Sequence, residues 1–188
     1  MSQPASPSSQ RTYAGMAGAM LVAVVVAGGW YLIGKPDDSA QPIANVEWTP
    51  LVRAARTDAA LLIYAPDALP AGWKARSVEY LPGGDPHWHL GTLTDKGRYV
   101  GIDEGRVAVS DLVGQYVDKN ATQGAEVTIG GQAWQSWSDS GGDYALTRTL
   151  KQGQFTVDSV VVVAHDVPKA EVATFVASLK SGKIKLAG

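Results

Sequence analysis

The chain contains no cysteine among its 188 residues. This absence excludes disulfides, thiolate nucleophiles, lipid-modified cysteines and thiolate zinc sites. It also has no run of lysine and arginine, and its formal net charge is -2. Because phosphate binding needs a concentrated basic face, we predict no nucleic-acid partner.

Complete catalytic motifs are missing as well. The chain has neither the Gly-x-Ser-x-Gly turn of many serine hydrolases nor a Ser-x-x-Lys pair. Gly29 to Lys35 resembles a phosphate-binding loop, but Pro36 stands where that motif needs serine or threonine. The acids Asp103-Glu104, and Asp139 with Asp143, are predicted to be solvated side chains in or near loops. We therefore predict no catalytic residue, no metal and no cofactor.

One long uncharged segment is present. Tyr13 to Ile33 contains no charged residue over 21 positions. A helix of this length, rising about 1.5 Å per residue, crosses a hydrocarbon core of about 30 Å. Tyr13, Trp30 and Tyr31 lie at its ends, where aromatic rings prefer the membrane interface. We predict a transmembrane helix that contacts the lipid bilayer, and favour an uncleaved anchor over a signal peptide cleaved after Gly29.

The anchor divides the chain into four parts. Since a short tail precedes it and a folded domain follows, we predict a single-pass protein of the cell membrane with its C-terminal domain extracytoplasmic. The parts are a disordered cytoplasmic tail (1–12), the transmembrane helix (13–33), a flexible tether (34–45) and an extracytoplasmic domain (46–188). Ala19, Ala23 and Ala27 are spaced four apart, which allows close helix pairing and makes a homodimer an alternative.

The domain has the sequence pattern of an α+β fold. Thr49-Pro50 indicates a helix start, and Val172, Phe175, Val176 and Leu179 have the spacing of a closing amphipathic helix. Leu61 to Tyr64 is a candidate short strand. Gly130-Gly131 indicates a hairpin turn before a strand at Gln132 to Ser138, and the "VVVVA" run suits a strand buried on both faces. We predict an antiparallel β-sheet of about six to eight strands with two or three packed helices.

The stretch "DPHWHL" places Asp85, His87 and His89 on one face of an extended strand, with Trp88 on the other. Two imidazoles and a carboxylate could bind a metal ion. Asp85 precedes a proline in a turn, however, and two histidines alone hold a metal weakly. We therefore favour a strand whose tryptophan packs inward and whose polar face is solvated.

The tryptophans are the remaining candidates for a binding surface. Indoles bury large areas and often line binding clefts. Trp134 and Trp137 lie on opposite faces of one strand, so one of them is expected to be exposed or under a helix, and we choose Trp134. Core packing is the alternative for each indole. The candidate ligand-binding residues are Trp73, Trp88, His89 and Trp134.

Five stretches carry a family resemblance: "VEWTPLVRAAR", "APDALPAGWKARSVEY", "WHLGTLTDKGRYVGIDE", "VTIGGQAW" and "DYALTRTL". Together with the anchor they resemble an actinobacterial single-pass membrane family, domain of unknown function 4245, over Val46 to Leu179. The resemblance implies a small envelope protein and assigns no activity, so it transfers no catalytic residue. Within it Trp88 and His89 match and His87 stands at a variable position. The order of elements also looks like PsbP-like α/β/α sandwiches.

These observations favour a membrane-anchored, non-catalytic module that binds an envelope protein or glycan. The first alternative is a cell-envelope hydrolase that uses His89 or His165 with carboxylates. The second is an assembly factor that dimerises through its anchor.

Overall fold

The computed structural model describes residues 45–152 and 156–182 of the chain. The predicted tail, the predicted transmembrane helix and the predicted tether up to residue 44 lie outside the described residues. Among the helices of the described ranges, none is both long enough and apolar enough to cross a membrane.

Three helices and nine strands are formed by the described residues. The helices are α1 (Thr49–Asp58), α2 (Val109–Tyr116) and α3 (Lys169–Ser178). The strands are β1 (Tyr64–Pro66), β2 (Lys74–Leu81), β3 (His87–Leu93), β4 (Tyr99–Gly105), β5 (Thr122–Ile129), β6 (Gln132–Ser138), β7 (Asp143–Gln152), β8 (Thr156–His165) and β9 (Leu179–Ser181).

Seven strands form one antiparallel sheet in the order β2-β3-β4-β8-β7-β6-β5. Strand β8 lies in the middle of this order, and Val160 to Val163 are buried on both of its faces. The prediction of an α+β fold with an antiparallel sheet and packed helices is confirmed, as is the central place of the valine run. The PsbP-like arrangement stays a prediction.

One face of the sheet carries the larger core. Helices α1 and α3 pack on it through Val52, Ala55, Val172, Phe175 and Val176. The short antiparallel pair β1-β9 adds to the same side. Burial of this apolar face is the main source of stability, at about 25 cal/mol per Å² removed from water.

The opposite face, which we call the α2 face, carries a smaller core. Leu112 of α2 packs there against Ala145, Val161 and Val163 of β7 and β8. Helix α2 therefore lies over the middle of the sheet. Much of the sheet on either side of it, towards β2-β3 and towards β5-β6, has polar side chains.

Strand β9 differs from the sequence prediction. Leu179 was assigned to the closing helix, but that helix ends at Ser178 and Leu179 begins β9. Its partner β1 covers Tyr64–Pro66, whereas the sequence favours a strand at Leu61 to Tyr64. The difference arises because this pairing joins residues more than 100 positions apart, which local periodicity cannot reveal.

Candidate functional site

Two histidines and one carboxylate meet on the α2 face. His87 and His89 lie on the same face of β3, and Asp103 of β4 is the cross-strand neighbour of His89. His89 Nδ1 lies 2.9 Å from Asp103 Oδ1, and His87 Nε2 lies 3.3 Å from the same oxygen. The carboxylate is only 1% exposed, whereas both imidazoles are half-buried. The strand register thus places a buried acid beneath two accessible rings.

A serine completes the cluster from the edge strand. Ser77 Oγ of β2 lies 2.8 Å from His89 Nε2, on the side of the ring away from Asp103. The register of β2 against β3 shifts between Ala75 and Ser77, so Arg76 is an extra residue. Such a bulge re-aims the side chains beside it. The result is a continuous chain of two hydrogen bonds, from Ser77 through His89 to Asp103.

Gly91 provides the space for this contact. It is the cross-strand neighbour of Ser77. A Cβ built there would lie 2.4 Å from Ser77 Oγ and 3.1 Å from His89 Nε2. The same Cβ would lie 3.2 Å from the ring of Tyr99, which also covers Gly101. A glycine is therefore needed where serine, imidazole and phenol converge.

Helix α2 holds the other side of the cluster. Tyr116, its last residue, places its hydroxyl 3.2 Å from His87 Nε2. Burial and the nearby negative charge of Asp103 raise the pKa of Tyr116, so its hydroxyl stays protonated at neutral pH. Burial and the same carboxylate raise the pKa of Tyr99 to about 12.

The two histidines determine the charge of Asp103. Burial by itself raises the pKa of this carboxyl, but hydrogen bonds from His87 and His89 outweigh it and the net shift is downward. The bond to Asp103 raises the pKa of His87, although partial burial opposes that shift. The site therefore contains an ionised carboxylate whose charge is compensated by imidazole N–H groups.

The chemistry of this arrangement is that of proton transfer. A serine hydroxyl, an imidazole and a carboxylate joined through the two ring nitrogens can remove a proton from the hydroxyl and stabilise the resulting imidazolium. Within residues 45–152 and 156–182, no group of three or more histidine, aspartate or glutamate side chains is placed to hold a metal ion.

The acids Asp103 and Glu104 require a correction. The sequence analysis predicts solvated turn acids, but both side chains are buried, at 1% and 0% exposure. The reason is that β4 extends to Gly105, so both residues lie within a strand and face opposite sides of the sheet. Asp85, the acid that the sequence places beside the histidines, is exposed and lies before β3.

The tryptophans chosen from the sequence lie in or against the larger core. Trp88 is 0% exposed, and its Nε1 donates to the carbonyl of Tyr64 at 3.0 Å. Trp134 is 1% exposed and packs edge-on against the Tyr64 ring. Trp73 is half-buried and stacks on Phe175 of α3. Of the four residues, only His89 belongs to the cluster on the α2 face, and ligand binding by Trp73 and His89 stays a prediction.

Trp137 is the indole that lies on the α2 face. It is half-buried, and its Nε1 donates to Thr147 Oγ1 at 2.8 Å. It lines an open groove of about 450 Å3 over β5, β6 and β7. The other residues of this groove, the Trp137 groove, include Val109, Gln123, Glu126, Gln135, Thr147 and Thr149. Alternation along β6 does separate Trp134 from Trp137; Trp134 is not exposed but lies in the larger core, on the face where α1 and α3 pack.

His165, the other histidine of the hydrolase alternative, lies apart from the cluster. It ends β8, four residues beyond Val161, which is the cross-strand neighbour of Asp103. Its Nδ1 lies 2.9 Å from Asp143 Oδ1 in an exposed pair. The bond to Asp143 raises the pKa of His165. The structure brings no serine into hydrogen-bond contact with this ring among the described residues.

Ser77, Asp103, Tyr116 and Trp137 were missed by sequence reasoning. Alternation along β4 could have placed Asp103 on the same face as Tyr99, and a hairpin register could have paired it with His89. The bulge at Arg76 leaves no clear signal in the sequence. The sequence therefore could not show that Ser77 and Tyr116 belong to the cluster on the α2 face.

The fold and site together define a class: an α+β domain with a seven-stranded antiparallel sheet and a Ser-His-Asp chain on one face. The chain belongs to the family described as protein of unknown function (DUF4245), whose model matches residues 9–179. No curated protein matches the chain at a significant level.

Two solved structures are similar in part. One is a chain of the complex structure of Pseudomonas aeruginosa MucA/MucB, with a TM-score of 0.37 and 13% identity. The match covers 64% of this chain and 35% of that one. The other, from the crystal structure of MucB in complex with MucA(peri), has a TM-score of 0.36 and 12% identity over 64% and 37% of the two chains. This chain thus matches little more than a third of their length, and no ligand or partner is inferred from them.

Proposed function

We propose that this chain is a single-pass membrane protein of the actinobacterial cell envelope whose extracytoplasmic domain binds a glycan in the Trp137 groove. The uncharged segment from Tyr13 to Ile33 supports the anchor. The Pro- and Asp-containing stretch after it supports a linker between the anchor and a separately folded domain.

The observation that carries the proposal is the position of Trp137. Its hydrogen bond to Thr147 fixes the indole, while the ring lines a groove that the described helices leave open. The apolar C–H face of a sugar ring can stack on such an indole, and side-chain amides and hydroxyls can bond the sugar hydroxyls. A volume of about 450 Å3 lies within the range of small-ligand sites.

The composition of the groove favours a neutral glycan over an acidic polymer or a protein. Its lining includes two glutamines, two threonines, one acid and one arginine, so no single charge dominates. An anionic polymer would need a concentrated basic face. A protein partner would be expected to find a larger apolar patch than one indole provides.

Indole resonances provide a direct test. The six tryptophans give six indole N–H signals in the full-length protein in detergent micelles. Titration with neutral oligosaccharides released from the organism's own cell wall is expected to shift the Trp137 signal and to leave those of buried Trp88 and Trp134 unchanged. Trp137→Ala should weaken binding at least tenfold, as loss of an aromatic hot spot does.

The matched control is Trp48→Phe, which alters a buried indole of the larger core. It is expected to leave the affinity unchanged. Equal binding by wild type and a folded Trp137→Ala variant would contradict the proposal. Binding of an acidic polysaccharide or an envelope protein with the Trp137 signal unmoved would also contradict it.

A further inference from the structure

Three neighbouring strands each contribute one side chain to the hydrogen-bonded chain on the α2 face. Ser77 comes from β2, His89 from β3 and Asp103 from β4. The two bonds, of 2.8 Å and 2.9 Å, use different nitrogens of the His89 ring. A proton on Nδ1 is donated to the carboxylate, which leaves the Nε2 lone pair directed at the serine hydroxyl. This is the tautomer that a general base for serine needs.

The three side chains differ in how deeply they are buried. Asp103 is inside the sheet, His89 is 20% exposed at its side chain, and Ser77 is half-buried on the edge strand. A buried carboxylate is costly unless it is hydrogen-bonded, and here the protein provides the imidazoles that bond it. The residue at the other end, Ser77, is partly exposed to solvent, whereas the acid is buried.

The glycine opposite Ser77 supports a role beyond joining the strands. Any larger residue at Gly91 would push Ser77 Oγ out of contact with His89, because its Cβ would lie 2.4 Å from that oxygen. Tyr99 lies beside the same space. Ser77, His89 and Tyr99 therefore pack closely over the bare backbone of Gly91, and only a glycine leaves room for the contact between the serine and the imidazole.

We propose that Ser77 is a nucleophile activated by His89, that Asp103 is its positioning residue, and that the substrate is a carboxylic ester. Ser77 Oγ attacks the carbonyl carbon while His89 Nε2 accepts the hydroxyl proton. Collapse of the tetrahedral intermediate breaks the bond to the alcohol oxygen, which takes that proton, and leaves an acyl group on Ser77. Water, deprotonated by His89, then releases the acid, so one ester and one water give one acid and one alcohol.

An ester is assigned because its leaving alcohol departs more readily than an amine. Amide hydrolysis depends strongly on paired donors for the oxyanion. The Tyr99 ring lies beside the same space over Gly91 as Ser77, and its hydroxyl lies over Gly101. His87 and Tyr116 hold the far side of Asp103 and are positioning residues as well. The proposed ester site and the Trp137 groove consist of different residues, so an experiment can contradict one proposal without contradicting the other.

The first test is covalent labelling of the full-length protein in detergent. A fluorophosphonate probe reacts with an activated serine by forming an oxygen–phosphorus bond and expelling fluoride. Intact-mass and peptide mass spectrometry are expected to find one adduct on Ser77. His89→Gln should slow labelling at least about 100-fold, the usual contribution of a general base. Ser138→Ala, which alters a half-buried serine on β6, is the matched control and should label as the wild type does.

The second test uses the absence of cysteine. Ser77→Cys introduces a unique thiol beside His89, and Ser138→Cys provides the control thiol. Pairing with an imidazole lowers a thiol pKa, so Ser77→Cys should react with iodoacetamide at pH 6.5 about tenfold faster than the control. Adding Asp103→Asn should remove this advantage at pH 6.5 and leave the reaction rate at pH 10 unchanged. A loss of folding would change the rate at both pH values.

The labelling and thiol experiments together decide whether Ser77 is activated by His89. An adduct on Ser77 that depends on His89, together with the fast thiol, supports the proposal. No adduct on wild-type protein whose circular dichroism shows it folded would overturn it. A thiol at position 77 that reacts no faster than the control would overturn it too.

Discussion

At the scale of single residues, Glu104 is the most unusual titratable group. It is 0% exposed and faces the larger core, opposite to its neighbour Asp103. Its Oε2 accepts the backbone N–H of Tyr64 at 3.0 Å, whereas Oε1 is buried without a hydrogen-bond partner among the described residues. Ile63, the residue before Tyr64, has a left-handed backbone with φ 37°.

Burial raises the pKa of Glu104 from 4.5 to about 7, and the nearby charge of Asp158 adds to the shift. The folded state therefore binds more protons than the unfolded state between these values. The contribution of Glu104 to the free energy of unfolding is therefore largest below about pH 4.5, and it is lost as the pH rises through 7. The difference of about 2.5 units corresponds to a loss on the order of 3 kcal/mol.

We expect Glu104→Gln to remove this pH dependence. The amide keeps an oxygen for the Tyr64 N–H but cannot ionise. Urea unfolding of the full chain in detergent at several pH values should show a much smaller loss of stability between pH 5 and 8 in the variant than in the wild type, because only the contributions of His87 and His165, which both proteins share, are left to titrate. Glu126→Gln, at an exposed position on β5, is the control. A parallel fall in both Glu104→Gln and wild type would show that another group is responsible.

Asp103 and His87 have shifts of opposite sign. The hydrogen bonds from the two histidines lower the pKa of Asp103, so its contribution to stability is present above its ordinary value and is lost as the pH falls through the lowered one. The raised pKa of His87 gives a contribution that is present below about 6.5 and is lost as the pH rises through the raised value. Their ion pair is therefore strongest in mildly acidic conditions.

At the scale of elements, the pairing of β2 with β3 depends on one cross-strand contact. Gly91→Ala would place a methyl group 2.4 Å from Ser77 Oγ, an overpacking that costs about 1–3 kcal/mol. In a Ser77→Ala background the oxygen is gone, so we expect a smaller cost. The double-mutant cycle, measured by urea unfolding, should give a coupling energy on the order of 1 kcal/mol.

Ser138→Ala combined with Gly91→Ala provides the additive reference, since β6 and β3 are separated in the sheet by β4, β8 and β7. Additivity in both cycles would mean that Ser77 does not occupy the space above Gly91. The serine would then point away from His89.

Local patterns predicted much of the sheet because hairpin turns and alternation act over a few residues. Gln132 to Ser138 was predicted with its observed bounds, and the valine run identified β8 as central. The candidate site was harder, because it depends on register between strands. Asp103 meets His89 only through the pairing of β3 with β4, and Ser77 reaches it only through the bulge at Arg76. The sequence analysis therefore identified His89 without its partners.

At the scale of the whole domain, α2 lies between the two proposed sites. Its first residue, Val109, lines the Trp137 groove, and its last, Tyr116, contacts His87. Eight residues of helix separate these ends by about 12 Å. Ser77 on β2 and Trp137 on β6 are five strand spacings apart, about 24 Å at about 4.8 Å per strand, so an acylated glycan that contacts both sites must be an oligosaccharide of that length. This geometry gives a reason for placing a stacking indole and a serine on one face.

At the scale of the whole chain, the proposed location at the cell membrane depends on the predicted anchor. We expect the mature protein to retain Tyr13 to Ile33 and to stay in the membrane fraction after alkaline carbonate washing. Val24→Arg with Val25→Arg should release it, because each central arginine costs about 2.5–3.5 kcal/mol on insertion scales. Gln41→Arg with Asn45→Arg adds the same charge to the tether and is the control, expected to remain bound.

Protease added to intact cells should digest the domain, since it is predicted to lie outside. A soluble mature chain beginning near residue 30, or a domain protected until the cells are lysed, would contradict this arrangement.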